Sequence, residues 1–205
     1  MLLTKTTYYG FTVPQIILMV VALIVVIYIF VTIQEKRNRK KALEGDDRVR
    51  VWEILEKSVP DVQNYTRAYA CWEWSTYAGR RTTTSYWYYG IAFNSDCIYV
   101  VPLSTEGGDI SYSNGGVIYK DQLGAVNSKK GANWVELYDK ERKEIVSLMV
   151  FAENLKDDKY HPVNIIQTDE EKKFLDWKEK WMEEVNTANG VEATGKMKKP
   201  VKNKK

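Results

Sequence analysis

The longest feature in the hydrophobic pattern is a run of 23 residues without a charged side chain, at 11–33. As a helix with a rise of about 1.5 Å per residue it is roughly 34 Å long, enough to cross a hydrocarbon core of about 30 Å. The run is longer than the apolar region of a signal peptide, and no small-residue cleavage pattern follows it. We therefore expect an uncleaved transmembrane helix at 11–33, preceded by a short segment at 1–10.

Basic residues follow this apolar run more densely than they precede it. Lys5 lies before the run, whereas the juxtamembrane segment 34–45 contains five basic residues, Lys36, Arg37, Arg39, Lys40 and Lys41. The positive-inside rule places the more basic flank in the cytoplasm. The pattern predicts a single-pass protein of the cell membrane, with its amino terminus outside and its carboxyl-terminal domain in the cytoplasm. The same five side chains are candidates for contacts with anionic lipid, through charge alone or through recognition of one headgroup.

Beyond the basic segment, apolar positions first recur at helical spacing and then alternate. The stripe formed by Val51, Trp52, Ile54 and Leu55 predicts an amphipathic helix over 46–60. This helix either packs on the following domain or continues the membrane helix as a stalk. Aromatic and β-branched residues with intervening turns then predict seven strands, at 66–76, 82–93, 97–103, 117–127, 133–138, 143–151 and 163–167.

A helix closes the predicted domain, which spans 61–186. Residues 168–171, Thr-Asp-Glu-Glu, match a capping box with acidic residues in the first turn. One apolar face follows at helical spacing, made of Phe174, Trp177, Trp181 and Val185. Asn189 and Gly190 end the helix. The segment 187–205 has six lysines and one acidic residue, which predicts a disordered tail that either solubilises the chain or contacts anionic lipid.

Seven short strands followed by one amphipathic helix resemble a pleckstrin-homology-like (PH-like) barrel. Residues 89–101 resemble the hairpin of the second and third strands in bacterial PH-like domains, and 117–126 are similar to the strand that follows it. The resemblance covers 65–186. It implies a mainly β fold in which a seven-stranded barrel follows the membrane helix and is capped by the last helix. It also implies a binding or scaffold module without enzymatic activity.

The net charge of +3 is the sum of three parts of the chain that differ in sign. Residues 1–44 carry +4, residues 45–186 carry −6 and residues 187–205 carry +5. An acidic folded part is a poor electrostatic platform for nucleic acid, so nucleic acid is not an expected partner.

Aromatic residues are densest in the first predicted hairpin. Alternation along a strand places Trp72 and Trp74 on one face of the first strand. On the second strand it separates Trp87 and Tyr89 from Tyr86 and Tyr88. Core filling with cross-strand pairing is the simplest interpretation. The six residues are also candidate contacts for a protein partner, because exposed tyrosine and tryptophan are typical interface anchors. An aromatic-lined barrel mouth that senses a small ligand or lipid is an alternative.

The sequence contains no catalytic, metal or cofactor motif. His161, the single histidine, has no HExxH or CxxC partner. The glycine pairs at 107–108 and 115–116 lack the spacing of a phosphate-binding loop.

The two cysteines, Cys71 and Cys97, are expected to be buried free thiols, as suits a reducing compartment. The alternative is a disulfide between them in a chain of inverted topology, with an extracellular domain that binds sugars or the cell wall. The sequence favours a membrane-anchored, non-catalytic interaction or scaffold protein without a cofactor. Its protein partner is not identified by any motif.

Overall fold

The structure, a computed structural model, describes residues 7–8, 11–78, 81–105, 109–155 and 162–191 of the chain. Within these residues the chain forms three α-helices and twelve β-strands. Several predicted features lie outside them, namely His161, the glycine pair at 107–108, the hairpin residues 79–80 and most of the lysine-rich tail.

Helix α1 spans Val13–Glu44 and contains the predicted membrane segment 11–33 except for its first two residues, which form a strand. It follows a small antiparallel pair of strands, β1 (Thr7–Tyr8) and β2 (Phe11–Thr12). Gln15 Oε1 accepts a hydrogen bond from the backbone N–H of Thr12 at 2.9 Å, which satisfies one free donor at the helix start. An 18-residue window of the helix has a mean hydropathy of 3.3 and none of it is buried. By length and composition, α1 is apolar enough to cross a membrane.

Gly45 separates α1 from helix α2, which spans Asp46–Ser58. Gly45 has a φ of +81°, and its N–H donates to the carbonyl of Lys41 at 3.1 Å. This left-handed conformation, which glycine adopts without strain, ends α1 and turns the chain. The predicted amphipathic helix is therefore confirmed as a separate element and not as a continuation of α1. Its side chains Val51, Ile54 and Leu55 are buried.

Eight antiparallel strands form the main sheet. They are β3 (Thr66–Ala78), β4 (Arg81–Phe93), β5 (Cys97–Ser104), β6 (Ser111–Tyr112), β7 (Gly116–Tyr119), β8 (Leu123–Asn127), β9 (Trp134–Asp139) and β10 (Glu144–Met149). The order is β6-β5-β4-β3-β10-β9-β8, and β7 also pairs with β5. Strand β3 joins the two halves, pairing with β4 along its length and with β10 at one position.

The predicted strands are confirmed in part. The first, second, third, fifth and sixth lie within two residues of their predicted bounds. The fourth, predicted at 117–127, is split by a 3-10 turn at Lys120–Gln122, so that β7 pairs with β5 while β8 pairs with β9. The seventh shortens to β12 (Ile165–Ile166) and pairs with β11 (Glu153–Asn154) outside the main sheet.

The main sheet is open where the prediction had a closed seven-stranded barrel. Among the described residues, the outer strands β6, β7 and β8 do not pair with one another. The break at Lys120–Gln122 divides the fourth predicted strand into two. The seventh predicted strand pairs outside the main sheet, so it is not there to close the predicted barrel.

Helix α3 spans Thr168–Ala188, followed by Gly190 at a φ of +62°. Its N-cap is Gln167 and not Thr168, so the predicted capping box is wrong by one position. The Gln167 side chain is bound to Tyr69 of β3, which fixes the start of the helix. Acidic residues occupy the first turn as predicted, where they complement the helix dipole.

Helix α3 lies across the gap between strand β8 and the turn that joins β4 to β5. The indole N–H of Trp177 donates to the carbonyl of Asn94 at 2.8 Å, and that of Trp181 donates to Ser95 at 3.1 Å. At the other end, the Asn186 amide exchanges two hydrogen bonds of 2.9 Å with the backbone of Val126. The helix thus covers an opening that the strands leave.

Two hydrophobic cores lie on opposite faces of the sheet. Ala68, Ala70 and Ile91 face the core under α3. Their neighbours Tyr69 and Cys71 face the core under α2. The alternation predicted from the sequence is confirmed, and it places one helical layer on each face.

Candidate functional site

The hairpin of β3 and β4 extends past the strands on both sides of it. Strand β4 pairs with β5 only from Tyr88 to Phe93, and β3 pairs with β10 only at Cys71. Residues 72–78 and 81–87 therefore form a two-stranded projection, here called the arm. Within it, the hydroxyls of Ser75 and Thr84 lie 3.0 Å apart across the strands.

A groove of about 350 Å³ lies between the arm and β10. One wall is aromatic and consists of Trp72, Trp74, Trp87 and Tyr89. The other wall is residues 144–147 of β10. The groove exists because β10 diverges from β3 after their single paired position. This set of eight residues is called the groove below.

Two of the four aromatic residues in the groove are exposed, and Trp72 and Tyr89 are half-buried. The exposed fractions are 49% for Trp74 and 43% for Trp87. Trp72 and Trp87 are direct cross-strand partners by register, yet within the described residues neither indole makes a ring contact or a hydrogen bond. The aromatic residues of the α3 core differ, because Trp177 lies 4.5 Å from Trp181 between ring centroids.

A carboxylate lies at the polar end of the groove. Ser147 Oγ donates to Glu144 Oε1 at 2.5 Å, which orients the carboxylate. Burial, and then the negative charge of Glu144, raise the pKa of the Tyr89 phenol, so Tyr89 stays neutral at physiological pH. No lysine or arginine nitrogen of the described chain lies within 4.0 Å of the Glu144 carboxylate. The groove therefore combines indole faces with an unpaired negative charge.

The six aromatic residues predicted as partner contacts divide between the two faces of the hairpin. Four of them line the groove. Tyr86 and Tyr88 face the other side, where Tyr88 is half-buried and stacks on Tyr69 with 6.5 Å between ring centroids. Tyr88 is thus part of the packing against the α2 core.

The five basic side chains at the end of α1 are also not equivalent. Arg39 Nη2 lies 3.0 Å from Glu153 Oε1 of β11, and Lys40 Nζ lies 3.6 Å from Glu44 in the same helix. Among the described residues, Lys36, Arg37 and Lys41 have no carboxylate within 4.0 Å. These three side chains are the ones that remain available to lipid headgroups.

A second surface depression lies beside α2, around Trp52. The guanidinium carbons of Arg48 and Arg67 lie 5.1 Å and 5.8 Å from the Trp52 ring centroid. Arg48 is also paired with Glu170, and Arg67 with Glu56 at 2.7 Å. Because both cations already have carboxylate partners, this cluster fastens α2 to the domain and offers no free charge.

The cysteines are free and buried, as predicted. Cys71 is in β3 and Cys97 is in β5, on either side of β4. Two strand spacings amount to about 10 Å, beyond the Cα separation of about 7 Å that a disulfide allows. The alternative of a disulfide between them is therefore wrong. Burial raises the pKa of the Cys71 thiol to about 12, which leaves it un-ionised and weakly reactive.

The described residues contain no group of three or more His, Cys, Asp or Glu side chains placed to hold a metal ion. Sequence reasoning missed Glu144 and the other β10 residues of the groove. No local pattern marks them, because their role depends on where β10 leaves β3.

Comparison of the chain with protein-family models and with curated proteins finds no match in either. The apolar helix α1, the arm and the groove are therefore the features from which a function has to be inferred.

Proposed function

We propose that the chain is a single-pass, membrane-anchored and non-catalytic interaction or scaffold protein that presents its β-rich domain at the cytoplasmic face of the cell membrane. The observation that carries the proposal is the continuity of α1. The helix is apolar and exposed over residues 13–33 and runs on unbroken through the basic residues up to Glu44. Its last turns contact the folded domain, since Arg39 pairs with Glu153 and Ala42 is buried. The domain is thus held beside the end of the anchor.

We assign the domain to the PH-like fold. Support comes from two antiparallel meanders. One contains β3, β4, β5 and β7, and the other contains β8, β9 and β10. They are joined because β3, the first strand of the sheet, pairs with β10, its last strand. Further support comes from α3, which lies across the opening between β8 and the β4–β5 turn. A partly open barrel with one closing helix has this arrangement.

The groove is the surface that we assign to a protein partner. Exposed tryptophan in a concave site supplies a large contact area at a low cost in conformational entropy. The unpaired Glu144 adds a charge that discriminates between partners. A second candidate function, sensing of a small ligand or lipid, is favoured by the groove's volume of about 350 Å³, which is within the range of small-molecule sites.

Single-cysteine variants test the topology. In a chain with Cys71→Ala and Cys97→Ala, a new cysteine is placed by Thr4→Cys or by Ser113→Cys. Ser113 is exposed on the domain. A membrane-impermeant maleimide is expected to label Thr4→Cys in intact cells and Ser113→Cys only after permeabilisation. The reverse pattern would overturn the proposed orientation and support an extracellular sugar- or wall-binding domain.

Capture from solubilised membranes tests the partner surface. Proteins enriched with the native chain are compared with those enriched by the double variant Trp74→Ser with Trp87→Ser. Tyr112→Ser is the matched control, because Tyr112 is 46% exposed on β6 and lies outside the groove. We expect the double variant to lose a specific protein that the control retains. Identical captured sets for all three chains contradict a role of the groove.

A further inference from the structure

We propose that the groove binds the alkylammonium group of a lysine side chain, and that its occupant is the lysine-rich segment 192–205 of this same chain. The inference rests on the proposed function, because it assigns the regulation of the surface that we give to the protein partner. While the segment occupies the groove, a partner has to displace it.

The aromatic wall has the chemistry that recognises a cation. An ammonium group is attracted to the negative face of an aromatic ring within about 6 Å, and tryptophan gives the strongest attraction. Three of the four rings in the groove are indoles. None of these indoles is engaged in a ring contact within the described part of the chain. Trp74 and Trp87 are exposed, so these two indoles are accessible to a ligand.

The carboxylate of Glu144 supplies the opposite charge. Three other carboxylates of the domain differ from it. Glu56, Glu153 and Glu170 pair with arginines. Glu144 is exposed and bound only by the Ser147 hydroxyl, as far as the structure describes the chain. An incoming ammonium group therefore finds a carboxylate that is oriented but not neutralised.

Charge and reach favour the chain's own tail as the occupant. Residues 192–205 contain six lysines and one acidic residue, whereas residues 45–186 carry a net charge of −6. Fourteen residues extend to about 46–50 Å at full length. Asn189, at the C-terminal end of α3, donates from Nδ2 to the carbonyl of Leu123 at 3.3 Å. Leu123 pairs with Asp139 of β9, and the neighbouring Tyr138 pairs with Glu144. Two strand spacings, about 10 Å, therefore separate this part of the sheet from Glu144, so the segment that follows Val191 is long enough to reach the groove.

The test uses the full chain in neutral detergent micelles, with its lysines reductively methylated with ¹³C. Dimethylation keeps the positive charge and gives each lysine an NMR signal, and signals of the tail are assigned by single Lys→Arg substitutions. A methylammonium group over an indole face is shifted upfield by the ring current. We expect at least one tail lysine to show such a shift at low salt and to lose it at high salt, because exposed charge pairs are screened.

Three variants identify the site. The double variant Trp74→Ala with Trp87→Ala is expected to abolish the shift. Glu144→Gln is expected to weaken the contact about fivefold, the effect of one exposed ion pair, without removing a core side chain. The matched control is Glu183→Gln, since Glu183 is also exposed and has no ion pair within the described residues, and it is expected to change nothing.

Three results would overturn the inference. One is tail signals at random-coil positions in micelles, with changes only when anionic lipid is added, which would make the tail a membrane contact. Another is an upfield shift that survives both the Glu144→Gln and the tryptophan variants. The third is an upfield shift in labelled chains of the tryptophan double variant after unlabelled native chains are added, because that shift requires the groove of a second copy. Since these signals do not depend on capture of a partner, the inference and the proposed function can fail separately.

Discussion

At the residue scale, two buried amide side chains complete the sheet where a strand partner is missing. Gln167 Oε1 accepts from the backbone N–H of Tyr69 at 2.8 Å, and its Nε2 donates to the carbonyls of Tyr69 and Phe151 at 2.8 Å and 2.9 Å. Asn186 does the same for Val126 on β8. A side-chain amide has the donor and acceptor of a peptide group, so it satisfies the backbone N–H and C=O groups of a strand edge without another strand.

Gly124 has no space for a side chain, whereas Gly116 has, and this difference between the two glycines can be tested. A Cβ at Gly124 would lie 2.3 Å from the carbonyl oxygen of Asp139, whereas nothing lies within 4 Å of a Cβ at Gly116. Gly124→Ala is expected to lower the free energy of unfolding by about 1–3 kcal/mol, because the β8–β9 backbone has to move apart. Gly116→Ala, the control, should change it by less than about 0.5 kcal/mol. Urea unfolding followed by tryptophan fluorescence measures both, and equal midpoints would contradict the steric argument.

At the element scale, the joint between α1 and α2 decides how α1 meets the domain. A single residue, Gly45, separates the two helices. Because α1 ends there, α2 is free to lie on the sheet, where Leu55 approaches Gly90 so closely that a Cβ at Gly90 would be 3.2 Å from Leu55 Cδ2. The N-terminal end of α2 is held by Asp47, whose Oδ2 accepts from the backbone N–H of Asn164 at 2.7 Å. An unbroken helix would carry these apolar side chains away from the sheet.

Substitution of Gly45 tests this joint. Gly45→Ala is expected to destabilise the folded chain by about 1–2 kcal/mol, because a left-handed backbone brings Cβ too close to the following carbonyl. Gly45→Asn, the matched variant, should cost less, since asparagine adopts the left-handed region more readily. No side chain lies within 4 Å of the position, so packing does not contribute. The measurement is equilibrium unfolding in micelles, and an alanine variant as stable as the native chain would show that the turn is not required.

At the scale of the whole molecule, the domain has helices α2 and α3 on opposite faces of the sheet and depends little on α1. The core under α2 includes Val51, Ile54 and Leu55. Helix α1 contributes less to the packing. Among its described side chains Ala42 is the buried apolar one, and Arg39 forms a surface ion pair with Glu153. Surface ion pairs contribute about 0–1 kcal/mol. The folded unit therefore begins at α2.

Two fragments test where the folded unit begins. Residues 46–191 are expected to unfold cooperatively, with a free energy of unfolding within about 1 kcal/mol of the full chain. Residues 60–191 lack α2 and are expected not to fold, because burial of each large apolar side chain contributes about 1.5–3 kcal/mol. Circular dichroism during thermal unfolding measures both. Cooperative unfolding of the shorter fragment would show that the sheet and α3 suffice.

Much of the fold could be predicted from local patterns. The apolar run of α1, the stripe of α2, the alternation of β3 and β4 and the apolar face of α3 depend on the spacing of residues along one element, and a sequence displays that spacing directly. The separation of Tyr86 and Tyr88 from Trp87 and Tyr89 was predictable for the same reason. Membrane insertion of α1 and its orientation stay predictions, since they rest on the apolar run and on the flanking charge.

The tertiary structure decided what depends on contacts between distant residues. It broke the predicted strand 117–127, because β7 and β8 pair with different partners. It also left the sheet open and moved the start of α3, because Gln167 bonds to a strand nearly a hundred positions away. It formed the groove from three strands, β3, β4 and β10, since β10 diverges from β3 and leaves Glu144 in the same groove as three indoles. The sequence determined the elements and their faces through local spacing, and only the tertiary structure determined which faces meet.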